Sequence, residues 1–217
     1  MKFILPLVLV IAMSTTAMSQ SSTKLRYLAL GDSYTIGESV TENERWPMQL
    51  IAKLNATGGN YVVPKIIATT GWRTDDLSNA IWKETLDPGY DLVSLLIGVN
   101  NQYQGKSVDA YKPEFEGLLK TAVRLAGGNK TKVFVVSIPD YGYTPFGKPK
   151  QATISAELDK FNEANKAITE RMGIRYINIT DISRKGFEDP QLVAGDGLHP
   201  SGKQYSLWVE RILKELE

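Results

Sequence analysis

Cysteine is absent from all 217 residues, and histidine occurs once, at position 199. Without cysteine there is no disulfide framework, no thiolate zinc site, no iron–sulfur cluster and no thiol nucleophile. A single histidine cannot build a histidine-rich metal site, and any proton transfer through an imidazole falls to His199. An excess of one charge is missing too: 25 basic and 24 acidic side chains leave a formal charge of +1. That balance gives no electrostatic footprint for nucleic acid or for an anionic membrane. No low-complexity tract interrupts the chain, and 42% of its residues are hydrophobic, so it reads as globular rather than disordered. The length suits one compact domain with a substantial core.

The N-terminus carries an address. Lys2 precedes an apolar run from Phe3 to Met13, followed by small and polar residues ending Ala17-Met18-Ser19-Gln20. This is the order of a secretory signal peptide. As a helix the apolar run spans about 16 Å, too short for a hydrocarbon core of roughly 30 Å, so no stable membrane insertion is expected. The absence of cysteine excludes a lipoprotein anchor. Residues 1–19 are therefore expected to be a cleaved signal and 20–217 a single secreted or periplasmic domain. Lys2 is the only charged residue of the signal, so the mature chain balances 24 bases against 24 acids.

Apolar or β-branched runs of strand length recur at Leu25–Leu30, Val62–Thr69, Leu92–Ile97, Lys132–Ile138 and Ile174–Ile179. Between and after them, helical periodicity covers Trp46–Leu54, Thr74–Leu86, Val108–Leu125, Ser155–Met172 and Gly202–Leu216. Ile154, Leu158, Phe161, Ala164 and Ile168, for example, share one helical face. Pro113 lies in the first turns of the third of these helices, where proline is better tolerated than farther in. Continuous apolar strands alternating with helices predict an α/β fold, a three-layer α/β/α sandwich around a five-stranded parallel, flavodoxin-like sheet. Function in such a sheet belongs at the carboxyl ends of the strands.

Four strand-end segments carry the candidate chemistry. After the first strand stands Gly31-Asp32-Ser33-Tyr34. A phosphate loop is one reading, but Asp32 would set an anion inside an anion-binding nest. A serine on a tight turn at a strand end is well placed as a nucleophile, although the Gly-x-Ser-x-Gly signature is absent. After the second strand, Gly71 leaves a backbone N–H open to a ligand, as would any turn glycine. After the third, Asn100 offers a side-chain amide to a developing oxyanion, or simply a turn. Near the C-terminus, Asp196 stands three residues before His199 in Gly195-Asp196-Gly197-Leu198-His199-Pro200. A carboxylate at that spacing can reach the ring, fix its tautomer and stabilise the imidazolium.

Together the four segments resemble the GDSL family of serine esterases and lipases, also called SGNH hydrolases. Gly31-Asp32-Ser33 matches the name motif with Tyr34 in place of leucine, Gly71 the second block, Asn100 the third, and Asp196 to Pro200 the aspartate-x-x-histidine block. The resemblance implies Ser33 as nucleophile, His199 as base and Asp196 as its orienting acid. The N–H groups of Ser33 and Gly71 and the Asn100 amide would form the oxyanion hole. The one departure is Asn101, where the family commonly has aspartate, and it bears on positioning rather than on the triad.

No cofactor or metal is implied. The substrate expected is a small-molecule, carbohydrate or lipid ester. Tyr34, Trp72, Tyr103 and Tyr141, with Tyr143 and Phe146, lie in or beside strand-end loops and are candidates for the substrate pocket. Tyr141, Tyr143 and Phe146 belong to the loop Pro139–Lys150, which has three prolines, two glycines and two tyrosines. No long apolar lid is present, which favours small acyl groups or carbohydrate esters over bulk lipid. The competing expectations are a flavodoxin-like module holding a phosphate-bearing cofactor and a catalytically silent, carbohydrate-binding version of the scaffold.

Overall fold

A computed structural model describes residues 23–217; the expected signal lies outside them. Five strands form one sheet: β1 (Tyr27–Gly31), β2 (Lys65–Ala68), β3 (Leu92–Leu96), β4 (Val133–Val136) and β5 (Arg175–Ile177). Their order is β2-β1-β3-β4-β5 and every pairing is parallel. Among the described residues eight α-helices accompany them: α1 (Ser33–Ile36), α2 (Trp46–Ala56), α3 (Thr74–Lys83), α4 (Val99–Tyr103), α5 (Val108–Leu125), α6 (Gln151–Arg171), α7 (Thr180–Ser183) and α8 (Gly202–Leu216).

Connection handedness sets the layers. The crossover from β1 to β2 runs one way along the sheet and those onward to β3, β4 and β5 run the other way. Right-handed connections then place α2 on one face and α3, α5 and α6 on the opposite face. Accordingly α2 packs against α8, while α5 packs against both α3 and α6. All residues of β1, β3 and β4 are buried, as two-sided coverage requires. Trp46 and Trp208 are fully buried, and the Trp46 ring meets Phe134 edge-on at 6.3 Å. With no disulfide available, this core supplies the holding energy, about 1.5–3 kcal/mol for each large apolar side chain taken out of water.

All five strands fall within or at the edge of the segments the sequence predicts, with trimmed ends. β2 begins at Lys65, not Val62, because Pro64 has no N–H for the ladder. The chain before it pairs only through an isolated Leu25–Tyr61 bridge, which leaves Val63 exposed. α6 begins at Gln151, four residues before the expected start, so that Ile154, the first residue of its apolar face, lies inside the helix. Pro113 sits six residues into α5 and removes the bond to the Asp109 carbonyl, on an exposed turn. The short helices α1, α4 and α7 span at most five residues, too few for periodicity to register.

Gly31 pairs with Ala68 of β2 and Leu96 of β3, so β1 and its two neighbours end level. The strand order reverses between β1 and β3, and a crevice opens above that point.

Candidate active site

Ser33 sits where β1 turns into α1. Gly31 permits the turn: a Cβ there would lie 2.2 Å from Thr35 Oγ1 and 2.6 Å from the Leu96 carbonyl oxygen. Asp32 caps α1, its Oδ1 accepting from Tyr34 N–H at 3.1 Å. The helix ends after one turn at Gly37, whose φ of 73° returns its N–H to the Ser33 carbonyl. As the first helical residue, Ser33 has an N–H with no intrahelical partner. Among the described residues its hydroxyl makes no protein hydrogen bond, including to His199.

Two further loops supply donors beside it. Gly71 has φ of 85°, a left-handed conformation that favours glycine, and a Cβ there would meet nothing within 4 Å. The Asn100 amide donates one N–H to the Trp72 carbonyl at 2.9 Å and keeps its second N–H. Gln104 donates to the Gly71 carbonyl at 3.2 Å, a second tie between the Gly71 turn and the chain beside Asn100.

Asn101, the departure from the family pattern, explains itself here. Buried at 2% exposure, it accepts from the Thr74 N–H at 3.1 Å and donates to Thr74 Oγ1 at 2.7 Å. Thr74 Oγ1 in turn donates to Glu114. An aspartate would face that hydroxyl with a second carboxylate and no proton to share. Asn101→Asp should therefore cost roughly 1–3 kcal/mol of stability, read as a lower denaturation midpoint. An unchanged midpoint would show that the amide donor is dispensable.

The histidine loop is closed by its own backbone: Ala194 N–H bonds the His199 carbonyl at 2.8 Å, and Gly197 (φ 71°) bonds Ala194. Asp196 Oδ1 accepts from the N–H groups of Leu198 (2.9 Å) and His199 (3.0 Å). Its Oδ2 accepts from Ser39 Oγ at 2.7 Å and lies 2.6 Å from His199 Nδ1. Partial burial alone would raise the Asp196 pKa; the bonds from Ser39, His199 and the backbone outweigh it and hold the carboxyl well below the usual carboxylate range. An ionised Asp196 accepts a hydrogen bond from Nδ1–H, which leaves Nε2 as the acceptor. Ser39 gave no sign in the sequence: it is 157 residues from its partner and sits at a positive φ of 64°.

These elements meet around a cavity of about 310 Å³. Ser33, Gly71, Asn100 and His199 form its polar wall; Tyr34, Val99, Tyr103, Tyr141, Phe146 and Leu198 its apolar wall. Tyr34 stands edge-on to His199, with centroids 5.8 Å apart. Of the six candidate aromatics, Tyr34, Tyr103, Tyr141 and Phe146 thus reach the cavity and Trp72 does not. The backbone turns at Gly71, and the Trp72 ring packs against the hydrophobic core while its carbonyl holds Asn100. Tyr143 is also outside, its ring tilted against Phe187 with centroids 5.3 Å apart. Among the described residues no group of acidic or histidine side chains is arranged to hold a metal, and no helix is long and apolar enough to cross a membrane.

The signature of the GDSL-like lipase/acylhydrolase family matches residues 29–207. The chain belongs to that family. No curated protein matches it. Solved structures share the GDSL architecture at low identity. A lipolytic G-D-S-L protein from Veillonella parvula is 19% identical, with a TM-score of 0.65, covering 88% of this chain and 97% of its own. The esterase EstA from a Pseudoalteromonas species is 18% identical, with a TM-score of 0.62 over 88% and 96%. Axe2, an acetylxylan esterase from Geobacillus stearothermophilus, is 17% identical, with a TM-score of 0.65 over 88% and 94%. The GDSL family assignment makes the protein a hydrolase of ester bonds.

Proposed function

We propose that this is a secreted serine esterase for short-chain carboxylic esters, working through an acyl-enzyme on Ser33. The observation that carries the reading is His199, 2.6 Å from Asp196, lining one cavity with a buried serine at a helix start. His199 Nε2 takes the Ser33 proton as Oγ attacks the ester carbonyl. The developing oxyanion is met by the Ser33 and Gly71 N–H groups and the free N–H of Asn100. His199 then returns the proton to the departing alcohol oxygen, the C–O bond breaks and the acyl-enzyme remains. Water, deprotonated by the same nitrogen, releases the acid and restores Ser33.

The apolar wall and modest volume of the cavity suit a short acyl group, and the acetylxylan esterase neighbour supports small acyl groups by analogy. Secretion rests on the N-terminal signal pattern. A flavodoxin-like cofactor role is disfavoured by Asp32, whose carboxyl occupies the first strand-end loop. Hydrolysis of ethyl acetate followed by acid release tests the reading, together with Asn100→Ala. Losing one oxyanion donor should lower turnover by about two to three orders of magnitude with little change in KM. Unaltered turnover would remove Asn100 from the oxyanion hole.

A further inference from the structure

A second cavity of about 490 Å³ adjoins the first. Tyr103, Tyr141 and Phe146 line both, forming a ridge of three rings with centroids 6.2–6.3 Å apart. The ridge is fixed in place. Asp140, at its root, accepts from Arg184 (2.9 Å), Ser155 (2.6 Å) and Gly142 N–H (2.9 Å). The Tyr141 hydroxyl donates to Gln102 at 3.0 Å, and Gln102 donates to Glu157 at 2.6 Å. Tyr103 and Phe146 are nonetheless 59% and 51% exposed, an unusual outlay of aromatic surface.

We infer that this second cavity receives the alcohol portion of the ester, and that this portion is a neutral polyhydroxyl ring, a carbohydrate. The inference rests on the esterase reading above. Beyond the ridge the lining includes Lys150, Thr153 and Glu157 over Ile154. A donor-only ammonium and an acceptor-only carboxylate in one groove are both satisfied by hydroxyl groups, which donate and accept. An alkyl chain would desolvate both charges without return, an anion would meet Glu157, and a cation would meet Lys150. Exposed aromatic faces add a surface for the C–H face of a sugar ring. The groove runs from Gln102 and Tyr103 of α4 to Phe146, which ties it to the histidine loop. His199 must protonate the departing oxygen, so the alcohol lies on its side of Ser33. Phe146 is tied to that side, its N–H bonding the Gly197 carbonyl at 3.0 Å.

Three substrates separate the possibilities: ethyl acetate, ethyl octanoate and a monoacetylated methyl glycoside, with kcat/KM measured by acid release. The wild-type protein should prefer the acetylated glycoside to ethyl acetate. Thr153→Trp, an exposed position on α6, should fill the groove; Glu157→Ala should remove its acceptor. In both variants the glycoside-to-ethyl-acetate ratio should fall about tenfold or more, with the octanoate-to-acetate ratio holding within about twofold. A selective fall in the octanoate ratio would give the groove to the acyl chain and overturn the inference, as would two unmoved ratios. Loss of all three activities together with no labelling of wild-type Ser33 by a fluorophosphonate would overturn the esterase reading itself.

Discussion

Ser33→Ala should abolish covalent labelling by a fluorophosphonate and lower ester turnover by about 10⁴-fold or more, while leaving the thermal midpoint nearly unchanged. The size of the effect follows from what a hydroxyl at this position does. A serine is too weakly acidic to attack unaided, and the proposed base has one partner to activate. The selectivity follows from what the hydroxyl does not do. Its oxygen joins no protein hydrogen bond among the described residues, whereas the Ser33 backbone carbonyl, kept by alanine, accepts from Gly37 and Glu38 at 3.0 Å. Chemistry and fold are therefore separable at this residue. His199→Ala should match the loss of turnover but disturb the loop more, because it strips Asp196 of one of four hydrogen-bond donors. Labelling that survives Ser33→Ala would assign the nucleophile elsewhere.

The layers and the triad candidates were readable in the sequence for the same reason: each is encoded locally. Two-sided burial makes β1, β3 and β4 continuous apolar runs, and α8 keeps its apolar stripe from Gly202 to Leu216, so their positions follow from spacing alone. Asp196 and His199 are three residues apart, close enough for sequence distance to stand in for space. What escaped is set by contacts between distant segments. Ser39 reaches Asp196 across the domain, and its role is visible only once the loops after β1 and β5 meet. Trp72 shows the converse. An aromatic beside a strand-end glycine invites a pocket role, but the turn at Gly71 takes its ring to the core. Phe146 gains its place through a backbone bond to Gly197, which no residue pattern announces. Asn101 read as a flaw in a motif and is a donor matched to Thr74.

Asp32→Asn should stabilise the protein increasingly as pH rises from about 4 to about 8. Asp32 is fully buried; Oδ1 accepts from Tyr34 N–H, and Oδ2 has no hydrogen-bond partner among the described residues. Burial raises its pKa from 3.8 to about 7, against the pull of the N–H groups of Tyr34, Asp32 and Gly98. The folded state therefore holds this proton more tightly than the unfolded chain. Its contribution to stability is complete below the unfolded value and is lost as pH climbs to the folded one, on the order of 4 kcal/mol across the window. Asparagine keeps the accepting oxygen and never ionises, so the difference between variant and wild type should grow over that window and level off above it. Asp196, with its lowered pKa, sends its own contribution the other way, present above the carboxylate range and lost in acid, and it cancels in the comparison. A difference that stays flat from pH 4 to 8 would mean that Asp32 ionises as readily inside the fold as outside it. The N–H groups that the carboxyl attracts belong to the two loops bearing Ser33 and Asn100, so the ionised form draws together the loops of the proposed nucleophile and the proposed oxyanion donor. A neutral amide holds them less tightly. Stability and turnover of Asp32→Asn should accordingly move in opposite directions, the pattern of a group kept for the site at a cost to the fold.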